Sequence, residues 1–114
     1  MSKELLHTPD GVRDIYNLEC AKKDAVERRI SEVMKRYGYR NIQTPTFEFF
    51  DIFKKERGSV ISKEMFKFFD RDGETLVLRP DITPSIARSA AKYFMDEDMP
   101  IRLSYCGNIF INKS

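Results

Sequence analysis

Apolar positions along this chain change their period several times, and each change marks an element. From 17 to 37, Val26, Ile30, Val33, Met34 and Tyr37 recur every three or four residues, the spacing that lines one face of an α-helix. Asn17 stands where a helix N-cap belongs. Asp24 with Arg28 and Glu32 with Arg36 place an acid one turn before a base, which supports a solvated face. Gly38 follows the last periodic residue, where a chain leaving a helix commonly turns left-handed. The spacing predicts one long amphipathic helix. Before it lies an irregular lead-in whose segment Thr8-Pro9-Asp10-Gly11-Val12-Arg13-Asp14 carries strong turn chemistry.

Downstream the period shortens. Residues 39–43 alternate as a strand does and stop at Thr44-Pro45, because proline has no N–H to give a ladder. Phe47, Phe49, Phe50, Ile52 and Phe53 form a dense aromatic cluster, expected on a loop and a short helix. The polar stretch 54–63, with Gly58 and Ser59, is expected to be a mobile loop. Apolar runs at 65–69 and 74–78 flank Asp70-Arg71-Asp72-Gly73, and an Asp-Gly pair between two such runs predicts a hairpin.

A second helix is predicted over 83–94, with Thr83 as its cap and Pro84 in its first position. Ile86, Ala87, Ala90, Ala91 and Phe94 supply its apolar face. Pro100 closes an acidic loop, and 101–105 and 109–111 read as further strands around Cys106-Gly107-Asn108. The order predicts an α+β fold with a largely antiparallel sheet. The last apolar strand has no evident partner, and such edges are normally covered. The chain is therefore expected to be a fragment of a longer protein.

Composition removes several function classes. At 41% hydrophobic and 12% aromatic the chain can build a core, unlike a disordered segment. Twenty basic against eighteen acidic residues leave a net charge of +2, which gives no electrostatic case for nucleic acid or a membrane surface. No apolar run approaches a bilayer span, and the start lacks a signal-peptide core. Cys20 and Cys106 are far apart and read as reduced thiols of a cytoplasmic protein. A single histidine, His7, and the lack of any C-x-x-C argue against a metal site. Asp70-Arg71-Asp72-Gly73 is not a calcium loop either, since its glycine falls fourth where an EF-hand needs it sixth. Phosphate-binding glycine loops and nucleophile elbows are missing, so neither a catalytic residue nor a cofactor is expected.

One segment has the makings of a binding site. Leu78-Arg79-Pro80-Asp81-Ile82-Thr83-Pro84 joins a strand end to a helix start, where unpaired N–H groups gather ligands. Asp81 and Thr83 together could accept hydrogen bonds from an ammonium group. The same residues serve as well as a helix cap, with Arg79 paired to a carboxylate nearby. The residues alone leave both open.

Three segments then resemble one family. Gly38-Tyr39-Arg40-Asn41-Ile42-Gln43-Thr44-Pro45-Thr46-Phe47-Glu48, after a long helix, resembles motif 1 of class II aminoacyl-tRNA synthetases. Residues 78–88 resemble the strand-to-helix segment that holds the amino-acid ammonium in histidyl-tRNA synthetases. Ile101-Arg102-Leu103-Ser104-Tyr105-Cys106-Gly107-Asn108-Ile109-Phe110 resembles the first strand of motif 2, and residues 8–14 resemble the opening of the same family. The resemblance implies a partial class II synthetase-like antiparallel sheet flanked by helices, with 1–114 as the N-terminal part of one catalytic-core domain.

Departures narrow the resemblance. Histidyl-tRNA synthetases read Arg-Pro-Glu-Gly-Thr where this chain has Arg79-Pro80-Asp81-Ile82-Thr83, and they carry a motif 2 arginine where Ile111 follows Phe110. That arginine holds the ATP α-phosphate, and an aliphatic side chain cannot stabilise charge at phosphorus. Arg-Pro-Asp-x-Thr-Pro-x-Ile-Ala-Arg and Tyr-Cys-Gly-Asn-x-Phe are instead similar to the regulatory subunits of ATP phosphoribosyltransferase, paralogues that do not charge tRNA. The resemblance implies a short-form catalytic subunit as partner, histidine as feedback effector, and a homodimer. It further implies that Asp81 and Thr83 receive the histidine ammonium while Arg79 orients Asp81 or lines the pocket. Ile42, Thr44, Pro45 and the long helix would serve dimerisation. A synthetase fragment that activates histidine with ATP is the alternative.

Overall fold

In the computed structural model, which describes residues 3–54 and 61–113, the first periodic segment is α1 (Asn17–Arg36). Its C-terminus closes as the glycine predicted. Gly38 has φ +86°, its N–H meets the Lys35 carbonyl at 3.0 Å, and the Tyr39 N–H reaches back to Met34 at 3.1 Å. These two bonds satisfy carbonyls that the last turn leaves free.

The N-terminus differs from expectation. Tyr16, in extended conformation, is the capping residue and makes no side-chain cap. Asn17 sits at φ +49°, outside the extended backbone from which a cap side chain reaches back. A forked pair joins Arg13 to Glu19 instead, at 2.7 and 2.8 Å. The Arg13 guanidinium holds the Glu19 carboxyl below the usual carboxylate range, so the pairing is complete above that range and is lost only as pH falls through the lowered value. Among the described residues the helix carries the ion pair Lys23–Glu27 rather than Asp24–Arg28 or Glu32–Arg36. Exposed side chains gain so little from pairing that sequence spacing does not decide which pairs form.

Among the described residues two small sheets follow. β1 (Arg40–Asn41) runs parallel to β5 (Leu103–Ser104), a pairing the largely antiparallel expectation did not include. The long intervening chain makes that crossover possible. Asn41 ties the layer together, donating to Ser31 of α1 at 3.3 Å and accepting from the Ser104 hydroxyl at 2.8 Å. The second sheet is antiparallel in the order β2 (Phe47–Phe49), β4 (Thr75–Leu78), β3 (Lys67–Phe69). The β3–β4 hairpin is the predicted one, closed through Asp70, whose Oδ1 accepts the N–H groups of Asp72 and Glu74 at 2.9 Å each.

The aromatic cluster divides between a strand and a helix. Residues 47–49 form β2, not a loop, while α2 (Phe50–Lys54) is the expected short helix. Within β2 the alternation is inverted, with Glu48 buried and Phe47 and Phe49 exposed. The inversion follows from Arg88 of α3 (Thr83–Tyr93), whose Nε and Nη2 donate to Glu48 Oε2 at 3.1 and 2.9 Å. Glu48 and Val77 pair across β2 and β4 and share that covered face. Val77, Phe53 and Met65 make the core there, with Phe50 and Ile52 packed around them. On the opposite face Phe47 meets Phe68 edge-to-face at 5.6 Å.

Helix α3 buries Pro84, Ser85 and Ser89 rather than the predicted stripe of Ile86, Ala87, Ala90, Ala91 and Phe94. Small seryl side chains let the helix lie close to its neighbours, and Arg88 is thereby brought over the sheet. Its cap also differs, since Ile82 precedes the helix and the Thr83 hydroxyl does not cap it. Residues 109–111 do not form the predicted strand. They are irregular, with the Phe110 N–H on the Arg79 carbonyl at 2.9 Å and the Asn112 N–H on the Glu64 carbonyl at 2.7 Å. Residues 55–60, most of the polar stretch expected to be a loop, lie outside the described residues.

No residue of α1 is buried, and Val26, Ile30 and Val33 are 58%, 59% and 42% exposed. Its apolar stripe is formed but uncovered. The radius of gyration, 17.3 Å, exceeds the ~13 Å of a compact domain of about 100 residues. Among the described residues no helix is long and apolar enough to cross a membrane.

Candidate functional site

The junction between β4 and α3 lies where three separated stretches converge. Pro80 is buried and ends the strand, and Ile82 is buried beneath the first turn of α3. Arg79 knits the junction together. Its N–H donates to the Thr46 carbonyl at 2.9 Å, its Nε to the Asn108 carbonyl at 2.6 Å and its Nη1 to the Thr44 carbonyl at 3.2 Å. A guanidinium spreads several donors in one plane, so it can bind two carbonyls on different segments, which a lysine cannot reproduce. Arg79 therefore pairs with backbone oxygens, neither orienting Asp81 nor meeting a carboxylate.

Gly107 makes that arrangement possible. A Cβ at 107 would stand 2.5 Å from Arg79 Nη2 and 3.3 Å from its Cζ, so any side chain there has to push the guanidinium away.

Asp81 is half-buried and its Oδ1 accepts the Thr83 N–H at 3.3 Å, a helix-start contact. Among the described residues no cation pairs with its carboxylate. The Thr83 hydroxyl lies 2.6 Å from the Tyr105 hydroxyl, just beyond β5. Asp81, Thr83 and Tyr105 thus bring a carboxylate and two hydroxyls to one helix start, a set suited to a ligand that donates hydrogen bonds and carries positive charge.

Beside this group lies a cavity of about 210 Å³, lined by Ile42, Thr44, Arg79 and Tyr105 among others. The Thr44 Oγ1 is buried there without a hydrogen-bond partner among the described residues. A larger groove of about 510 Å³ separates α1 from β1 and β5, and Ile42 and Tyr105 line that one too. The structure therefore brings Arg79, Ile42 and Thr44 together on one cavity and places Asp81 and Thr83 next to it, while Pro45 is exposed. Tyr105 and Gly107 carry no assigned role in the sequence reading, although both lie within its motif 2 resemblance. Their one signal was position, a hydroxyl and a glycine immediately after a strand.

A sequence profile of the histidyl-tRNA synthetase family matches residues 11–114, nearly the whole chain. The chain belongs to the histidyl-tRNA synthetase family. Its similarity to ATP phosphoribosyltransferase regulatory subunits is equally plain. The one from Ruminiclostridium cellulolyticum is 49% identical over 110 residues, which is 96% of this chain and 26% of that protein. A solved ATP phosphoribosyltransferase regulatory subunit/histidyl-tRNA synthetase from Bacillus halodurans superposes with a TM-score of 0.86 at 32% identity, over 96% of this chain and 29% of that one. A histidine–tRNA ligase subunit from Alicyclobacillus acidocaldarius gives a TM-score of 0.79 at 32% identity, over 93% of this chain and 31% of that one. The chain spans about a quarter of the length of the curated relatives it matches. The expected class II synthetase-like α+β fold is the one observed. Because the family fold is common to regulatory subunits and tRNA ligases, activity has to be argued from the site.

Proposed function

We propose that this chain is part of a non-catalytic regulatory subunit required for the activity, and for histidine feedback, of ATP phosphoribosyltransferase in histidine biosynthesis. Ile111 carries the choice. It follows Phe110 where synthetases of this family hold the arginine for the ATP α-phosphate, and its side chain is half-buried and aliphatic. A site without that cation lacks the charge stabilisation that amino-acid activation needs. The identity with regulatory subunits supports the same reading.

In this reading residues 1–114 form the N-terminal part of one class II core domain, motif 1 through the first strand of motif 2. Asp81 and Thr83 receive the ammonium of histidine, and Arg79 acts indirectly by fixing the strands around them. The uncovered stripe of α1, with Ile42, Thr44 and Pro45 nearby, serves a homodimer, where burial supplies the driving force. The partner is the short-form catalytic subunit, and the setting is the cytoplasm. Feedback is linkage, histidine favouring one state of the assembly and the active catalytic subunit another.

Histidine-dependent ATP–pyrophosphate exchange separates this from the synthetase reading. The whole protein carrying this chain is expected to show none above the enzyme-free background. Exchange that rises and saturates with histidine would overturn the proposal.

A further inference from the structure

We infer that Tyr105 is a positioning residue for an α-ammonium ligand, acting through the Thr83 hydroxyl; the inference rests on the proposed role of Asp81 and Thr83. Two features of the helix start carry the inference. The two hydroxyls lie 2.6 Å apart although they come from the start of α3 and the end of β5. Beside them the Asp81 carboxylate has no cationic partner among the described residues, Arg79 having turned to the Asn108 and Thr44 carbonyls.

Proton counting gives Tyr105 its role. A primary ammonium only donates hydrogen bonds, so a threonine oxygen that receives one has to send its own proton elsewhere. The Tyr105 oxygen is the acceptor in reach. With the Thr83 proton held there, the Thr83 lone pairs are left open, and the ammonium meets an oriented acceptor. The tyrosine proton stays available to water or to an acceptor on the ligand. Without the tyrosine hydroxyl the Thr83 rotor has no fixed direction, and its proton competes for the site the ammonium should occupy. Because Tyr105 is 41% exposed and borders both cavities, removing one oxygen leaves the packing in place.

The ligand amine is therefore the group that senses Tyr105. Calorimetric titration of the whole protein with histidine and with imidazolepropionate, which lacks the α-amino group, measures that coupling. The unsubstituted protein should prefer histidine. Tyr105→Phe should weaken histidine roughly tenfold, the loss of about one hydrogen bond between the two neutral hydroxyls, and leave imidazolepropionate unchanged. Thr83→Val should show the same selective loss, and the double variant no more than either alone. Equal weakening of both ligands, or none, would overturn the inference while leaving the ammonium site standing. An unsubstituted protein that binds no histidine would overturn the proposed function, and this inference with it.

Discussion

Phe53→Ala is expected to lower the stability of the folded chain by about 3–5 kcal/mol, the range for removing a fully buried phenylalanine. Phe53 is 1% exposed, and with Met65 and Val77 it makes up the core against which Phe50 and Ile52 pack. The core is small, so its neighbours have few other side chains with which to refill the space. With a denaturant slope of about 2 kcal/mol per molar, the urea midpoint should fall by roughly 1.5–2.5 M. Phe53→Leu, which keeps most of the volume, should recover over half of that loss. A midpoint shift below about 0.5 M for the alanine variant would mean that the core lies elsewhere.

Arg88→Ala should be the next most damaging change, at about 2–4 kcal/mol. Glu48 is only 8% exposed, and both Arg88 donors converge on its Oε2. Removing the arginine leaves a carboxylate under α3 with its charge uncompensated, and that desolvation is what makes the variant unstable. Since the Arg88 side chain is itself 32% exposed, the loss belongs below the top of the buried-pair range. Replacing both residues, Glu48→Leu with Arg88→Leu, removes the charge along with its partner and should be less harmful than Arg88→Ala alone. A double-mutant cycle with a coupling under ~0.5 kcal/mol would show that the pair does not hold β2 to α3.

That pair also shows where the sequence stops being informative. Phe47, Glu48 and Phe49 alternate, so a strand could be read from them, but alternation gives a period and not a side. The side is set by Arg88, forty positions away, which draws Glu48 inward and leaves two phenylalanines on the outer face. The seryl stripe of α3 was hidden for a related reason, because serine at a buried position signals close approach only once the neighbour is known. By contrast α1, its glycine terminus and the β3–β4 hairpin depend on short-range spacing and turn chemistry, and they were legible.

The candidate site divides the same way. Asp81 and Thr83 could be singled out because a strand end meeting a helix start is visible along seven residues. The partners of Arg79 could not, since they are backbone carbonyls supplied by Thr44 and Asn108. Nor could the Tyr105 contact, which joins residues separated by 22 positions and exists only once β5 has docked beside β1. The family resemblance supplied the order of the motifs, whereas the contacts among their side chains came from the fold.

The central claim is regulatory function, and turnover of a short-form ATP phosphoribosyltransferase catalytic subunit tests it directly. The rate is measured with and without the whole protein carrying this chain, with histidine then titrated in. Strong activation that histidine reverses is the predicted result. Turnover that stays unchanged at saturating amounts of the whole protein would contradict the account.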